Sequence, residues 1–394
     1  MSHMRAGSPG RIWWLGLSSW LVLALVAVLT IGEGVAQERS TAAQAAEESP
    51  DEAGIAASRA EPGAETSAQR AAFYNQRLST ASSDMQSRVR QLQAEGKRSK
   101  WTFDVGYTTA LDRSPQSLAA TRVPSNLPDL IRSQNARSLA LGKALGPKYE
   151  ITVCSPKPVC NANSSSFSWY SVGKVTPVRD QGNCGSCWDF TTMGAFEAAY
   201  AIKNEYWIDT AEQQILSCSG AGTCAGGWWA FNWLLTHSVT NESAMPYTAT
   251  NGTCTVTSGY YRAVNWGYVN GMTPSVADIK TSLCQHGPVA SAVRAGTSAF
   301  FGYTNGVFNA QDAGNVDHGV VIVGWDDAKH AWLIKNSWGT GWGMDGYMWI
   351  DYGTNKIGYG SAWVDARSRC YKVPIKWYDV VKKLEPAIEP KFTP

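Results

Sequence analysis

The sequence predicts an α+β protein of two lobes, a helical one followed by a strand-rich one, behind a separate N-terminal segment. Three observations carry that expectation. The apolar residues of 187–200, Met193, Phe196, Ala199 and Tyr200 among them, recur at the spacing of a buried or half-buried helix. From Val289 onward β-favouring runs take over, at 319–324, Ala331–Lys335 and Tyr347–Asp351. Most of the 18 tryptophans lie beyond residue 165, which places the material for a large aromatic core in the second half alone.

The elements can be justified in order. Arg5 and Arg11 precede an apolar run at 12–31, and Gly34-Val35-Ala36 supplies small residues for cleavage. Residues 1–36 therefore read as a secretory signal peptide, with an uncleaved anchor as the rival reading. Residues 37–67 are rich in Ala, Glu, Ser and Gly, bury too little to offset chain ordering, and are expected to be a disordered linker. Over 68–100, Phe73, Leu78, Met85, Val89 and Leu92 fall at helical spacing; 101–107 reads as a short strand and 127–141 as a further helical stretch. Pro124, Pro147, Pro156 and Pro158 punctuate the way into the large domain, and 365–394 forms a C-terminal tail.

Charge is nearly balanced, 34 basic against 32 acidic residues, which argues against a nucleic-acid groove. Nine cysteines fit an oxidising compartment, and an odd number leaves at least one thiol without an intramolecular partner. No metal or cofactor is expected.

The unpaired thiol is assigned by its surroundings. Cys187 stands at the start of the predicted helix, with Ser186 as N-cap, where the positive end of the dipole favours a thiolate. A neighbouring imidazole would complete its activation. His318 lies at the mouth of an apolar strand, and Asn336 further on can accept from the second ring nitrogen and fix the tautomer. Gln181 can aim its side-chain amide at a developing oxyanion beside the Cys187 N–H, one such donor being worth roughly 2.7–4 kcal/mol of barrier.

These residues sit in Gln181-Gly-Asn-Cys-Gly-Ser-Cys-Trp188, Val316-Asp-His-Gly319 and Asn336-Ser-Trp-Gly-Thr-Gly-Trp-Gly343, with Thr223-Cys-Ala-Gly-Gly-Trp228 between them. Together they closely resemble the papain and cathepsin family of cysteine peptidases, over about half the chain. The resemblance implies a peptidase domain at 163–364 with the two-lobed papain-like fold, the nucleophile helix on one cleft wall and the His–Asn pair on the other. It implies peptide-bond hydrolysis through a Cys187 acyl-enzyme, with Trp338 shielding the His318–Asn336 hydrogen bond. Residues 68–162 would be an inhibitory pro-segment, running through the cleft in the non-cleavable direction. The family's helical signature is hard to find there, and an ordinary N-terminal binding domain is the rival reading.

By the same carry-over Gly226 and Gly227 would pair with extended substrate, beside Asp317. Trp228, Trp229, Ala292 and Val316 would form the pocket for the side chain two residues before the scissile bond, favouring a bulky aliphatic or aromatic group. One of the two tryptophans packing only in the core is the competing reading. The family pattern implies disulfides Cys184–Cys224 and Cys218–Cys254. Two further pairings stay open: Cys284–Cys370, tying the tail to the domain, and Cys154–Cys160, closing a small loop.

Asp189 departs from the family, which has a small apolar residue there. Two residues along a helix is about 200° of rotation, so its carboxylate should point away from the cleft and need a partner or a proton. The expectation is a monomeric secreted enzyme, or one of a periplasmic or lysosome-like lumen, acting on protein or peptide substrates. Its own pro-segment is the expected inhibitor, with no stable membrane association once the leader is gone. A transpeptidase or ligase using the same acyl-enzyme, and a catalytically silent binding protein on the same fold, are the alternatives.

Overall fold

The structure is a computed structural model that describes residues 59–60, 62, 67–151, 154, 158–383 and 390–392. The leader expected at 1–36 and nearly all of the linker at 37–67 lie outside the described residues. Among the described residues no helix is long and apolar enough to cross a membrane.

The N-terminal segment supplies α1 (Ser67–Ser79), α2 (Ser83–Arg98), strand β1 (Phe103–Val105), the one-turn α3 (Pro115–Leu118), α4 (Leu127–Leu145) and the one-turn α5 (Lys148–Ile151). Local chemistry sets these bounds. The Ser82 hydroxyl accepts from the Met85 N–H at the start of α2, while Lys97 and Arg98 complement its C-terminal carbonyls. Ser114 caps α3 through the Ser117 N–H, and Pro115 fits its first turn. The second helical stretch runs four residues past 141, until Gly146 at φ 84° breaks it.

The rest of the chain adds β2 (Ser166–Ser168), α6 (Cys187–Asn204), α7 (Glu212–Cys218), β3 (Gly222–Thr223), β4 (Gly226–Gly227), α8 (Phe231–Thr236) and β5 (Ala263–Tyr268). Then come α9 (Val276–His286), β6 (Val289–Val293), α10 (Ser298–Phe301), β7 (Tyr303–Phe308), β8 (His318–Asp326), β9 (Ala331–Lys335), β10 (Tyr347–Asp351), β11 (Tyr359–Ala366) and α11 (Ile375–Lys383).

A nine-stranded sheet runs in the order β1-β7-β10-β9-β8-β6-β11-β5, with β2 also pairing β8. Its pairings are antiparallel except β10 with β7. β1, from the N-terminal segment, forms one margin by pairing Phe103 with Gly306 of β7. α6 is the central helix: of its residues only Lys203 is not buried, as expected for a helix apolar nearly all round. Gly194 lets it approach β8 closely, since a Cβ there would stand 3.2 Å from Val321. That approach sets the start of α6 beside the start of β8, and so Cys187 beside the strand that begins with His318.

Cys184–Cys224 and Cys218–Cys254 are both formed. The two open pairings are not: Cys154 bonds Cys370 and Cys160 bonds Cys284, so neither Cys284–Cys370 nor Cys154–Cys160 exists. The cause is convergence on the C-terminal end of α6. Cys154 N–H donates to Lys203 O, while Asn204 bonds Arg367 O and the Arg369 N–H, which brings the tail to Cys154 with Cα atoms 5.3 Å apart. Cys160 then passes α9, 5.0 Å from Cys284 between Cα atoms. Cys187 is the one free cysteine.

Candidate active site

Cys187 opens α6 and is fully buried. Ser186 occupies the N-cap position, but its hydroxyl does not cap; it meets the Tyr247 hydroxyl at 2.6 Å. Burial pushes the Cys187 thiol up, opposed by the Thr121 hydroxyl and by backbone groups of Ala120, Gly319 and Trp188.

Across from it, His318 Nε2 and Asn336 Oδ1 lie 2.8 Å apart, both residues buried. Trp338 covers this pair, its ring centroid 4.6 Å from that of His318. His318 Nδ1 has no hydrogen-bond partner, and burial lowers the imidazole to about 4, with Asn336, Asp317 and the Leu118 backbone acting the other way. The ring is therefore neutral in this closed state. Behind Asn336, the buried Lys335 donates to Thr176 Oγ1 (3.0 Å), which donates to Glu197 of α6 (2.6 Å). Burial lowers that lysine to about 8, against the pull of Glu197. The network fastens the end of β9 to α6 and so fixes where Asn336 can stand.

Gln181 is aimed by Ser337, whose hydroxyl donates to Oε1 at 2.7 Å, leaving Nε2 as the free donor. Nε2 points at three carbonyls: Ser117 (2.9 Å), Leu118 (3.3 Å) and Cys184 (3.0 Å). Two of the three belong to the N-terminal segment, which occupies the cleft. The Leu118 carbonyl also accepts from Trp338 Nε1 at 3.3 Å. Thr121 Oγ1 stands 3.1 Å from Cys187 Sγ, and its N–H donates to Asp317 O at 2.7 Å. Arg122 N–H donates to Gly227 O at 2.9 Å, and Thr121 bridges Gly227 in parallel sense. Gly226, at φ 116°, must lack a side chain, because a Cβ would collide with the Ala120 carbonyl. Arg113 anchors the other end, bidentate on Asp180 at 2.6 and 2.7 Å.

The four positions expected to form one apolar pocket stand in different surroundings. Val316 borders a cleft of about 460 Å³ together with Arg122, Val123 and Tyr359. Trp228 and Trp229 are buried and stacked, centroids 4.4 Å apart, and line a cavity of about 20 Å³ beneath α4. Their indoles donate to the Tyr268 hydroxyl and to Gly360 O, both at 2.9 Å. Ala292 is buried in β6, opposite Gly319.

Asp189 is fully buried with neither carboxylate oxygen hydrogen-bonded. Burial pushes it well above the usual carboxylate range, and Glu212 and Glu242 add to this, which favours its protonated form. Thr121, Leu118 and Arg113 are the site-lining residues that sequence reasoning missed. The resemblance implied a segment within 68–162 running through the cleft, but not which of its residues would meet Cys187 and Gln181.

The family model for "Papain family cysteine protease" matches residues 163–365. Digestive cysteine proteinase 2 of Homarus americanus is 35% identical over 208 residues, covering 50% of this chain and 64% of that protein. Cysteine endopeptidase Rep1 of Oryza sativa subsp. japonica is 34% identical over 271 residues, covering 66% of this chain and 69% of that protein. Several of the matched relatives are thus spanned over less than two thirds of their length, as with the 64% for the Homarus americanus protein. Digestive procathepsin L 3 of the Tenebrio molitor larval midgut shares the fold, with a TM-score of 0.57 at 24% identity over 75% of this chain and 98% of that one. The matched region contains Cys187, His318, Asn336 and Gln181, and the chain belongs to the papain family of cysteine proteases.

Proposed function

We propose that this chain is an exported cysteine endopeptidase made as an autoinhibited zymogen, with Cys187 as nucleophile. In the open enzyme His318 Nδ1, free of other hydrogen bonds, takes the thiol proton. Asn336 holds the ring through Nε2. The thiolate attacks a peptide carbonyl, Gln181 Nε2 and the Cys187 N–H receive the oxyanion, and His318 returns the proton to the leaving amine. Water, deprotonated by the same imidazole, then hydrolyses the acyl-enzyme.

The observation that carries this reading is the segment in the cleft. A backbone carbonyl, that of Leu118, already receives the Gln181 amide proton, and Thr121 covers the thiol. The segment runs from Gln181, at the expected oxyanion site, towards Gly227, next to Trp228, where the resemblance puts the pocket for the side chain two residues before the scissile bond. The occupant is therefore laid in the reverse sense to substrate, which suits a pro-segment within 68–162. Substrates are protein or peptide chains, and the enzyme works as a monomer in a secretory or lysosome-like lumen.

Full-length chain and its Cys187→Ala variant, incubated at acidic pH with a Phe-Arg fluorogenic peptide, test the proposal. Chain shortening with hydrolysis in the wild type alone is the expected result. A folded wild-type chain that neither shortens nor hydrolyses, and whose Cys187 ignores an epoxide probe after the segment is removed, overturns it in favour of a silent binding protein. Aminolysis products in place of hydrolysis with an added amine would mark a transpeptidase.

A further inference from the structure

We infer that the N-terminal segment has two parts with different fates: residues up to about 122 are shed on activation, and α4 with the chain following it stays as a wall of the mature enzyme. This rests on the zymogen reading above and departs from a pro-segment shed as a whole over 68–162.

The part that obstructs the site is short. Among the described residues of the segment, those within 117–122 touch Cys187, Gln181 and Gly227, Arg113 holds Asp180 just before them, and no disulfide holds anything earlier. The next part is built into the domain. α4 covers β5, the sheet strand at the margin opposite β1, and its side chains answer that strand's main chain. Gln134 Nε2 donates to Trp266 O at 2.8 Å. Asn135 does both jobs of a missing strand, accepting from the Tyr268 N–H at 2.8 Å and donating to Tyr268 O at 3.1 Å. Asn265 returns a hydrogen bond to Ser138 O, and Arg137 donates to Asn232. All six residues of β5 are buried with α4 in place, so loss of α4 would bare an apolar marginal strand.

The C-terminal tail completes the unit. α11 packs against α4, with Trp377 buried and donating to Val264 O at 2.8 Å. Asn126 precedes α4 as a capping residue would, yet its side chain does not cap; it accepts from the Lys391 N–H at 2.9 Å. Ser125 N–H in turn donates to Lys391 O at 2.7 Å. Beyond α4, Tyr149 is buried with its hydroxyl on Ala366 O at 2.6 Å, and Cys154 is bonded to Cys370. A cut between 155 and 162 would thus leave everything before it covalently attached. The cut that opens the cleft without dismantling this unit falls between Arg113 and Asn126.

The full chain should be activated at acidic pH and its products sequenced and weighed with and without reductant. A new N-terminus within 113–126, with 127–154 still present in the unreduced active enzyme, is expected. An active enzyme beginning at 155–165 and lacking 127–154 before reduction overturns the inference. Asn135→Ala separates a retained helix from a shed one. It should lower the melting temperature of the activated enzyme by at least about 3 °C, and an unchanged value overturns the inference. If the wild type shows no activity at all, the zymogen reading fails on its own. The wall is then tested in Cys187→Ala chain carrying inserted protease sites near 122 and 153. The excised helix should co-elute with the remainder, and its release from a still-folded remainder overturns the inference.

Discussion

Thr121 Oγ1 lies 3.1 Å from Cys187 Sγ, so the hydroxyl of a residue far upstream sits directly on the free thiol. Covered in this way, and with burial raising its pKa, the thiol has little thiolate to offer. The intact chain should therefore react with iodoacetamide near pH 7 at least roughly tenfold more slowly than the processed enzyme. The measurement is alkylation rate by mass spectrometry, and equal rates would refute the cover.

Gln181 is held by Ser337 and aimed at carbonyl oxygens. In the processed enzyme Gln181→Ala should lower kcat by roughly 10²–10³ with a smaller change in KM, the signature of a donor used in the transition state. Steady-state kinetics decides it, and a change confined to KM would assign Gln181 to ground-state binding.

Asp189 sets a pH dependence whose sign can be worked out. Its folded pKa is raised, so between the unfolded value of about 3.9 and the folded one the native state holds a proton that the unfolded chain releases. Its stabilising contribution is complete below about pH 4 and is lost as pH rises, by about 1.4 kcal/mol per unit. Glu212, also buried and raised, acts in the same sense. The chain should melt higher near pH 4.5 than near pH 7. Asp189→Ala should flatten that slope, raise the neutral-pH melting temperature and leave activity largely intact; a lower melting temperature at pH 7 would contradict the account.

The Cys154–Cys370 disulfide spans 216 residues of sequence. Replacing both cysteines by serine should cost roughly 2–4 kcal/mol, read from the denaturant midpoint. No shift would mean that the hydrogen bonds at the end of α6 already hold the tail.

The chemistry was legible because it depends on a few residue types in short strings. The thiol at a helix start, the histidine at a strand mouth and the Asn336 loop each carry their own local signal. The helix at 187–200 was visible for the same reason, since apolar spacing is local. What escaped was set by distant partners. Thr121 and Leu118 have no pattern of their own; they matter because the chain lies across Gly227 and Gln181. The cysteine pairings at 154, 160, 284 and 370 depended on where α4 delivers the chain, which spacing cannot encode. The tryptophans at 228 and 229 read as pocket residues, yet an intervening helix covers them.

The two margins of the sheet share one owner. β1 finishes the row at β7 and α4 finishes it at β5, so both ends are closed by residues that precede the peptidase domain. When residues 67–112 leave, β7 is left with a bare line of amides and carbonyls, and such a line accepts a strand from any chain that offers one. Removal of 67–112 would therefore open a strand margin that the intact chain keeps paired. An exposed β7 margin of this kind would favour association through strand addition in the cut form over the uncut one.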